Sequence, residues 1–341
     1  MILKQYYLAS LAHASYLIAD LSTKTALVVD PQRDVEQYLR DASALGCVIR
    51  HVFLTHFHAD FIAGHLELRA LCNAQIHLGA QARADYAFRA HADGDALEFG
   101  NVRVHVLETP GHTPESVTLL VYDLERDARA PQAMLTGDTL FIGDVGRPDL
   151  LVSIGKTARE MAALLYDSLR DKLLPLPDAT LVYPAHGAGS ACGKNISKET
   201  SSTFGVQKQL NWALQPLERE VFIAQLTAGQ AAAPAYFAFD ADQNRRTRAT
   251  LEQELEGALP LALAEVLRAH NAGALVLDTR TASDYAKAHV KGSTNIGLDG
   301  RFEGWVGDLL KPERALVVIA PPRLGRDAVV RLARIGFKVS G

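Results

Sequence analysis

Cysteine is scarce in this chain: three in 341 residues, at Cys47, Cys72 and Cys192. An odd count without framework spacing excludes a disulfide-stapled secreted fold and points to a reducing compartment, hence the cytoplasm. No apolar run approaches the ~18 residues that a membrane-spanning helix needs. The opening residues, Met1-Ile2-Leu3-Lys4-Gln5, run directly into strand-like sequence, so no signal peptide is read. Positive charge is not in surplus: 35 Lys and Arg stand against 39 Asp and Glu, a net charge of −4. Without a basic field, neither nucleic acid nor an anionic membrane is an expected partner, while a homo-oligomer stays open. The remainder, 48% hydrophobic and 22% charged, supplies full cores, and the length accommodates two domains.

Potential metal ligands, by contrast, recur in a pattern. An apolar run from Val48 to Leu54 reads as a short buried strand and ends in Thr55-His56-Phe57-His58-Ala59-Asp60-Phe61. Imidazoles and carboxylates crowded into one strand-to-helix loop are what borderline metals prefer. One His-x-His would be weak evidence among twelve histidines. Three further loops strengthen it: Thr109-Pro110-Gly111-His112-Thr113, Thr136-Gly137-Asp138-Thr139 and Tyr183-Pro184-Ala185-His186-Gly187. Alone, Asp138 would read as a turn or cap residue; between two other ligand loops it reads as a ligand.

Around these loops the chain alternates. Leu3–Leu8, Ala14–Ile18 and Ala26–Val29 predict a β-meander, and Val35–Leu45 has helical spacing stopped by Gly46. A helix over Gly64–Leu71 and a strand over Gln75–Leu78 place His65 and His77 as core-edge or surface histidines. Strands at Ala96–Phe99, Val102–Leu107, Ser116–Tyr122, Ala133–Leu135 and Thr180–Tyr183 follow, with a helix over Thr157–Leu174 before the last. The Gly-rich loop Phe141–Leu150 carries Arg147, which is either a surface ion pair or a bidentate dock for a carboxylate. A helical region from Ser201 to about Ala228 closes this part, and a composition shift puts a boundary between about 230 and 258.

The order THxHxD, PGHT, GD, PAH resembles the metallo-β-lactamase fold, an αββα sandwich with metal loops at one edge. In its two-metal members the first motif runs THxHxDH; here the last position is Phe61, whose ring cannot ligate a metal. That loss is similar to the persulfide dioxygenases, which use a single non-haem iron. The resemblance implies one Fe(2+) per chain held by His56, His112 and Asp138, with His58 and Asp60 in supporting catalytic roles and His186 nearby. It further implies Arg147, Tyr183 and Lys194 as grips on an anionic thiol substrate. Cys192, in Gly187-Ala188-Gly189-Ser190-Ala191-Cys192-Gly193-Lys194-Asn195, is either a persulfide acceptor or redox-sensitive thiol, or a small buried residue.

Beyond Pro260 a helix, Leu261–His270, is read with an apolar stripe at Leu263, Val266 and Leu267. Leu275-Val276-Leu277-Asp278-Thr279-Arg280 and the stretch to Ile296 resemble the rhodanese signature. The loop that carries the rhodanese nucleophile reads Ala320-Pro321-Pro322-Arg323-Leu324-Gly325-Arg326 and has no cysteine. A last strand and helix are also missing. The expectation is therefore an α/β chain. Residues 1–235 form an αββα persulfide dioxygenase domain, and residues 258–341 a smaller, incomplete rhodanese-like domain. The implied reaction takes a glutathione or coenzyme A persulfide and O2 to sulfite and free thiol. The alternative is a glyoxalase II-like thioester hydrolase running on two metals.

Overall fold

The computed structural model describes residues 1–150 and 155–341. Alternating apolar residues build two six-stranded sheets that face each other. The first sheet holds β1 (Ile2–Leu8), β2 (His13–Asp20), β3 (Thr25–Val29), β4 (Val48–Phe53), β5 (Gln75–Gly79) and β6 (Arg89–His91), in that order. The meander β1–β3 is antiparallel, and β3 through β6 are parallel neighbours. The second sheet runs β12 (Ser202–Thr203), β11 (Leu181–Pro184), β10 (Ala133–Gly137), β9 (Val117–Asp123), β8 (Val102–Glu108), β7 (Ala96–Phe99).

The two-residue period decides which side chains meet between the sheets. Ala14, Tyr16 and Ile18 of β2 pack against Val102, Val104 and Val106 of β8 and Leu119 and Val121 of β9. The opposite face of the second sheet, with Leu120, Met134 and Val182, is covered by α3 (Ala158–Asp167), α4 (Phe204–Leu210) and α5 (Arg219–Thr227). Helix α3 starts where Thr157 and Glu160 form a reciprocal capping box. Its last turn continues as a π-helical segment, Ser168–Leu173.

On the first sheet's outer face lie α1 (Glu36–Ala44) and α2 (His65–Cys72). Leu17, Ala19, Val28 and Val52 pack there against Tyr38 and Leu66, and the same apolar cluster runs on to Phe237, Leu277, Phe302, Leu332 and Phe337. The layers are therefore αββα, and the core of one helical layer continues into the C-terminal part of the chain.

That part is a three-stranded parallel sheet, β14 (Thr294–Asn295), β13 (Leu275–Asp278), β15 (Leu316–Ile319). It carries α8 (Leu263–Asn271), α9 (Ala282–Lys287), α10 (Phe302–Leu309) and α11 (Gly325–Arg334). The stripe read for α8 is corrected here. Val266 is buried, but Leu263 and Leu267 are 66% and 42% exposed, because the face that α8 turns to Val276 and Val317 carries Val266 and Ala269 instead. Residues 230–258, read as the boundary, contain α6 (Phe237–Gln243) and α7 (Leu251–Gly257), and α6 contributes Phe237 and Ala241 to the core. No helix among the described residues is long and apolar enough to cross a membrane.

Candidate metal centre

The four ligand loops leave strand ends. The first follows β4, the second β8, the third β10 and the fourth β11. Strands β8 and β10 are both antiparallel to β9, and β11 is parallel to β10, so three of the loops emerge on the same edge of the second sheet. Glycine makes the close approach possible. A Cβ at Gly146 would collide with the Asp138 carbonyl and press on His112 Nδ1, and Gly137 turns at φ +51° against Thr55.

Hydrogen bonds set the tautomers from the outside inward. Asp30, at the end of β3, accepts Thr55 N–H at 2.8 Å and Thr55 Oγ1–H at 2.8 Å. With its proton committed, Thr55 Oγ1 accepts from His56 Nδ1 at 3.0 Å, which leaves the lone pair of His56 on Nε2. His112 Nδ1 donates to the Arg147 carbonyl at 2.9 Å, so its lone pair is on Nε2 as well. Both nitrogens face Asp138 Oδ2, His56 Nε2 at 3.8 Å and His112 Nε2 at 3.4 Å. His56 Nε2 and Asp138 Oδ2 are buried without a hydrogen-bond partner. Lone pairs converging in a buried space repel unless a cation sits among them. The ligand atoms of His56, His112 and Asp138 lie within 4.8 Å of one another. Two imidazoles and a carboxylate fit a divalent transition-metal ion.

Electrostatics agrees with that donor set. Burial, with the neighbouring His58, holds His56 well below the ordinary histidine range, and burial lowers His112 against the pull of Asp138. Both imidazoles are therefore neutral and able to ligate. Burial works against the Asp138 carboxylate, but His186 and His56 outweigh it and keep the group ionised.

A second cluster adjoins the first. His58, Asp60 and His186 also bring ligand atoms within 4.8 Å, as do Asp138, His186 and Cys192. His186 lies between two carboxylates, Nδ1 at 2.8 Å from Asp138 Oδ1 and Nε2 at 2.8 Å from Asp60 Oδ2. Burial opposes its charging, yet Asp138 and Asp60 raise its pKa well above the ordinary value. An imidazolium there supplies positive charge between the carboxylates. Phe61 packs against this cluster, its ring 4.4 Å from that of His58 and 4.0 Å from that of His13. Cys192 is buried, and burial with the Asp60 and Asp138 charges pushes its thiol well up, so it is protonated.

The structure separates the three residues read as substrate grips. Arg147 and Lys194 line one cavity of about 180 Å3 together with Trp212 and Leu226. Four of the five Arg147 N–H donors are already used, Nε and Nη2 on Asp149 at 2.7 Å each and further bonds to the Ala191 and Ala231 carbonyls. Lys194 Nζ reaches the Leu226 and Ala228 carbonyls. Tyr183 points the other way, between the sheets, with its ring 5.5 Å from that of Tyr16. The roles of Asp30 and Thr55 escaped the sequence reading. Asp30 had a signal, an acidic residue closing a strand beside the metal loop; Thr55 stood in the motif, but its role depends on Asp30, a contact across the fold.

Fold and donor set together define a metal-dependent enzyme built on an αββα sandwich. The Metallo-beta-lactamase superfamily profile matches residues 10–186, and the chain belongs to that superfamily. It is 32% identical over 192 residues to the mitochondrial persulfide dioxygenase ETHE1 of Bos taurus, spanning 54% of this chain and 68% of that protein. It is equally 32% identical over 203 residues to a hydroxyacylglutathione hydrolase-like protein of Gallus gallus, spanning 59% of this chain and 67% of that one. A solved metallo-beta-lactamase from Staphylococcus aureus subsp. aureus COL superposes with TM-score 0.88 at 32% identity, covering 100% of this chain and 98% of its own.

Proposed function

We propose that the chain oxidises a low-molecular-weight thiol persulfide with O2 and one water, giving sulfite, the free thiol and protons, at a single ferrous ion held by His56, His112 and Asp138. The observation that carries this reading is the first cluster itself: two neutral imidazoles and one carboxylate with converging ligand atoms, of which His56 Nε2 and Asp138 Oδ2 are unpartnered, beside a second cluster capped by Phe61. The likeness to a persulfide dioxygenase supports it. A ferrous ion, held by His56, His112 and Asp138, would supply redox chemistry with O2.

The chain's own residues do the rest. Thr55 and the Arg147 carbonyl hold the imidazoles in the ligating tautomer. His186, as a cation between Asp138 and Asp60, balances the carboxylate charge, while His58 and Asp60 orient the loop and water. Phe61 keeps water from the second cluster. Cys192 stands as a neutral thiol beside Asp138. Lys194, which lines a cavity with Arg147, is assigned the anionic end of glutathione or coenzyme A, and Arg147 shapes that cavity. The part of the chain from about 258 is proposed as a rhodanese-like domain without a sulfur-carrying cysteine.

The convergence of His58, Asp60 and His186 favours a second reading, a two-metal thioester hydrolase, and the similarity to a hydroxyacylglutathione hydrolase-like protein supports that too. Metal analysis of anaerobically purified protein, with O2 uptake on glutathione persulfide and coenzyme A persulfide, separates them. The expected result is one iron per chain, O2 consumption and sulfite. Two zinc ions per chain, with hydrolysis of a hydroxyacylglutathione and no O2 uptake, would replace this reading by the hydrolase.

A further inference from the structure

We infer that Asn244 is a positioning residue of the metal centre, and that the chain beyond residue 236 is thereby part of the centre's scaffold. The loop from His56 to Gly64 is buried and irregular, so its backbone polar groups need partners other than strand neighbours. They find them far along the chain, outside the segment matched by the superfamily profile. Asn244, fully buried just after α6, donates from Nδ2 to the carbonyls of His58 at 2.8 Å and Phe61 at 2.7 Å. Its Oδ1 accepts Ala63 N–H at 2.8 Å. Ile62 N–H donates to the Arg334 carbonyl at the end of α11, at 2.6 Å. Arg248 donates to the Ala63 carbonyl and pairs with Glu67 of α2.

The chemistry of the clasp selects an amide. A short side chain that donates twice and accepts once is asparagine. An aspartate of the same shape would set an acceptor against two carbonyls. An alanine would leave two carbonyls and an N–H buried and unmet. The clasp brackets Ala59 and Asp60 between its two carbonyls, so it fixes the directions of His58 and Asp60 and the path from His56. Asn244 is itself anchored, its N–H on the Asp240 carbonyl at 2.9 Å and its carbonyl accepting Tyr86 Oη–H at 2.7 Å. Outer partners of this kind act on metal affinity through the ligands they orient.

This inference rests on the centre binding a metal ion and not on which reaction that ion serves. The test uses the full chain, titrated with Zn(II), and with Fe(II) under anaerobic conditions, in competition with a chelator of known affinity. Asn244→Ala and the isosteric Asn244→Asp are each expected to bind about 10- to 100-fold more weakly than the wild type. Asn295→Ala is the control. It removes a like clasp, Nδ2 to the Asp278 and Arg280 carbonyls at 2.8 and 2.9 Å, and is expected to lower Tm while metal affinity holds. Wild-type affinity in either Asn244 variant overturns the inference, as does an equal loss in Asn295→Ala. Should Asn244→Ala not fold, Tyr86→Phe removes one anchor without opening a cavity. It must show a smaller loss in the same direction, and unchanged affinity there also overturns the inference. A wild-type chain that takes up no divalent ion overturns the metal reading, and this inference with it.

Discussion

Thr55 shows how one hydroxyl decides what a histidine can do. By giving its proton to Asp30 it must accept from His56 Nδ1, and only then does Nε2 offer a lone pair. Thr55→Val keeps the volume and removes that acceptor, so metal affinity should fall about 10- to 100-fold with the fold retained; chelator competition reads it. His56→Ala, His112→Ala and Asp138→Ala should each lose metal and O2 uptake together, and an Asp138→Ala protein with full metal would refute the ligand set. His186→Ala should keep its metal with weakened affinity, since it removes the partner of Asp138 Oδ1 and Asp60 Oδ2 but none of the three ligands. His65 carries a different prediction. Burial, with Arg248 nearby, lowers its pKa to about 3, below its unfolded value, so the unfolded chain binds the extra proton first. Stability contributed by the neutral ring is full above pH ~6.5 and lost as pH falls toward 3, at up to about 1.4 kcal/mol per unit. Urea midpoints between pH 7 and 5 should therefore fall less steeply in His65→Gln than in the wild type.

The loop Phe141–Leu150 depends on Arg147 as a tie. Its side chain joins Asp149, Ala191 and Ala231, and its carbonyl orients His112. Arg147→Met should cost up to about 3 kcal/mol, toward the lower end for a broken buried pair because Asp149 is 23% exposed. Urea unfolding measures the loss. Lys194→Met removes a charge from the lining of the cavity it shares with Arg147. It should raise KM for the persulfide more than it lowers kcat, the pattern of lost uniform binding; an unchanged KM would return Lys194 to the role of capping the Leu226 and Ala228 carbonyls.

Across the whole molecule the front sandwich and the C-terminal part share charges as well as core. Arg33, 2% exposed, pairs with Glu67 and Glu254 and donates to the Ala249 and Ala333 carbonyls. Arg334 links Asp34 to Glu303, and Ser10 donates to Glu303. A chain cut after residue 235 would bury Glu67 and Arg33 without most of these partners and strip the metal loop of its clasp. It should come out insoluble or metal-free. The full chain should show no thiosulfate:cyanide sulfurtransferase turnover, since sulfur transfer needs a thiolate and no cysteine follows Cys192. Thiocyanate formation that persists in Cys192→Ser would contradict this.

The sandwich and its four candidate ligand loops were legible because they are written in local patterns. Two-residue alternation marks β2, β8 and β9, and strand ends mark His56, His112 and Asp138, whatever lies far away. The surroundings of those residues were not legible. Which nitrogen of His56 carries the lone pair depends on Asp30, and the direction of Tyr183 depends on facing Tyr16. Whether Arg147 is free depends on Ala191 and Ala231, and whether residues 230–258 are a linker depends on α6 packing under the metal loop. Each is a contact between segments distant in sequence, which no local period encodes. By itself the sequence determined most of the strands and the fold class, but not the short strands β6, β12 and β14, which are held by their neighbours, and it marked candidate ligands. Tertiary structure decided tautomer, charge and the scaffold of the loop, because hydrogen bonds and burial belong to neighbours in space.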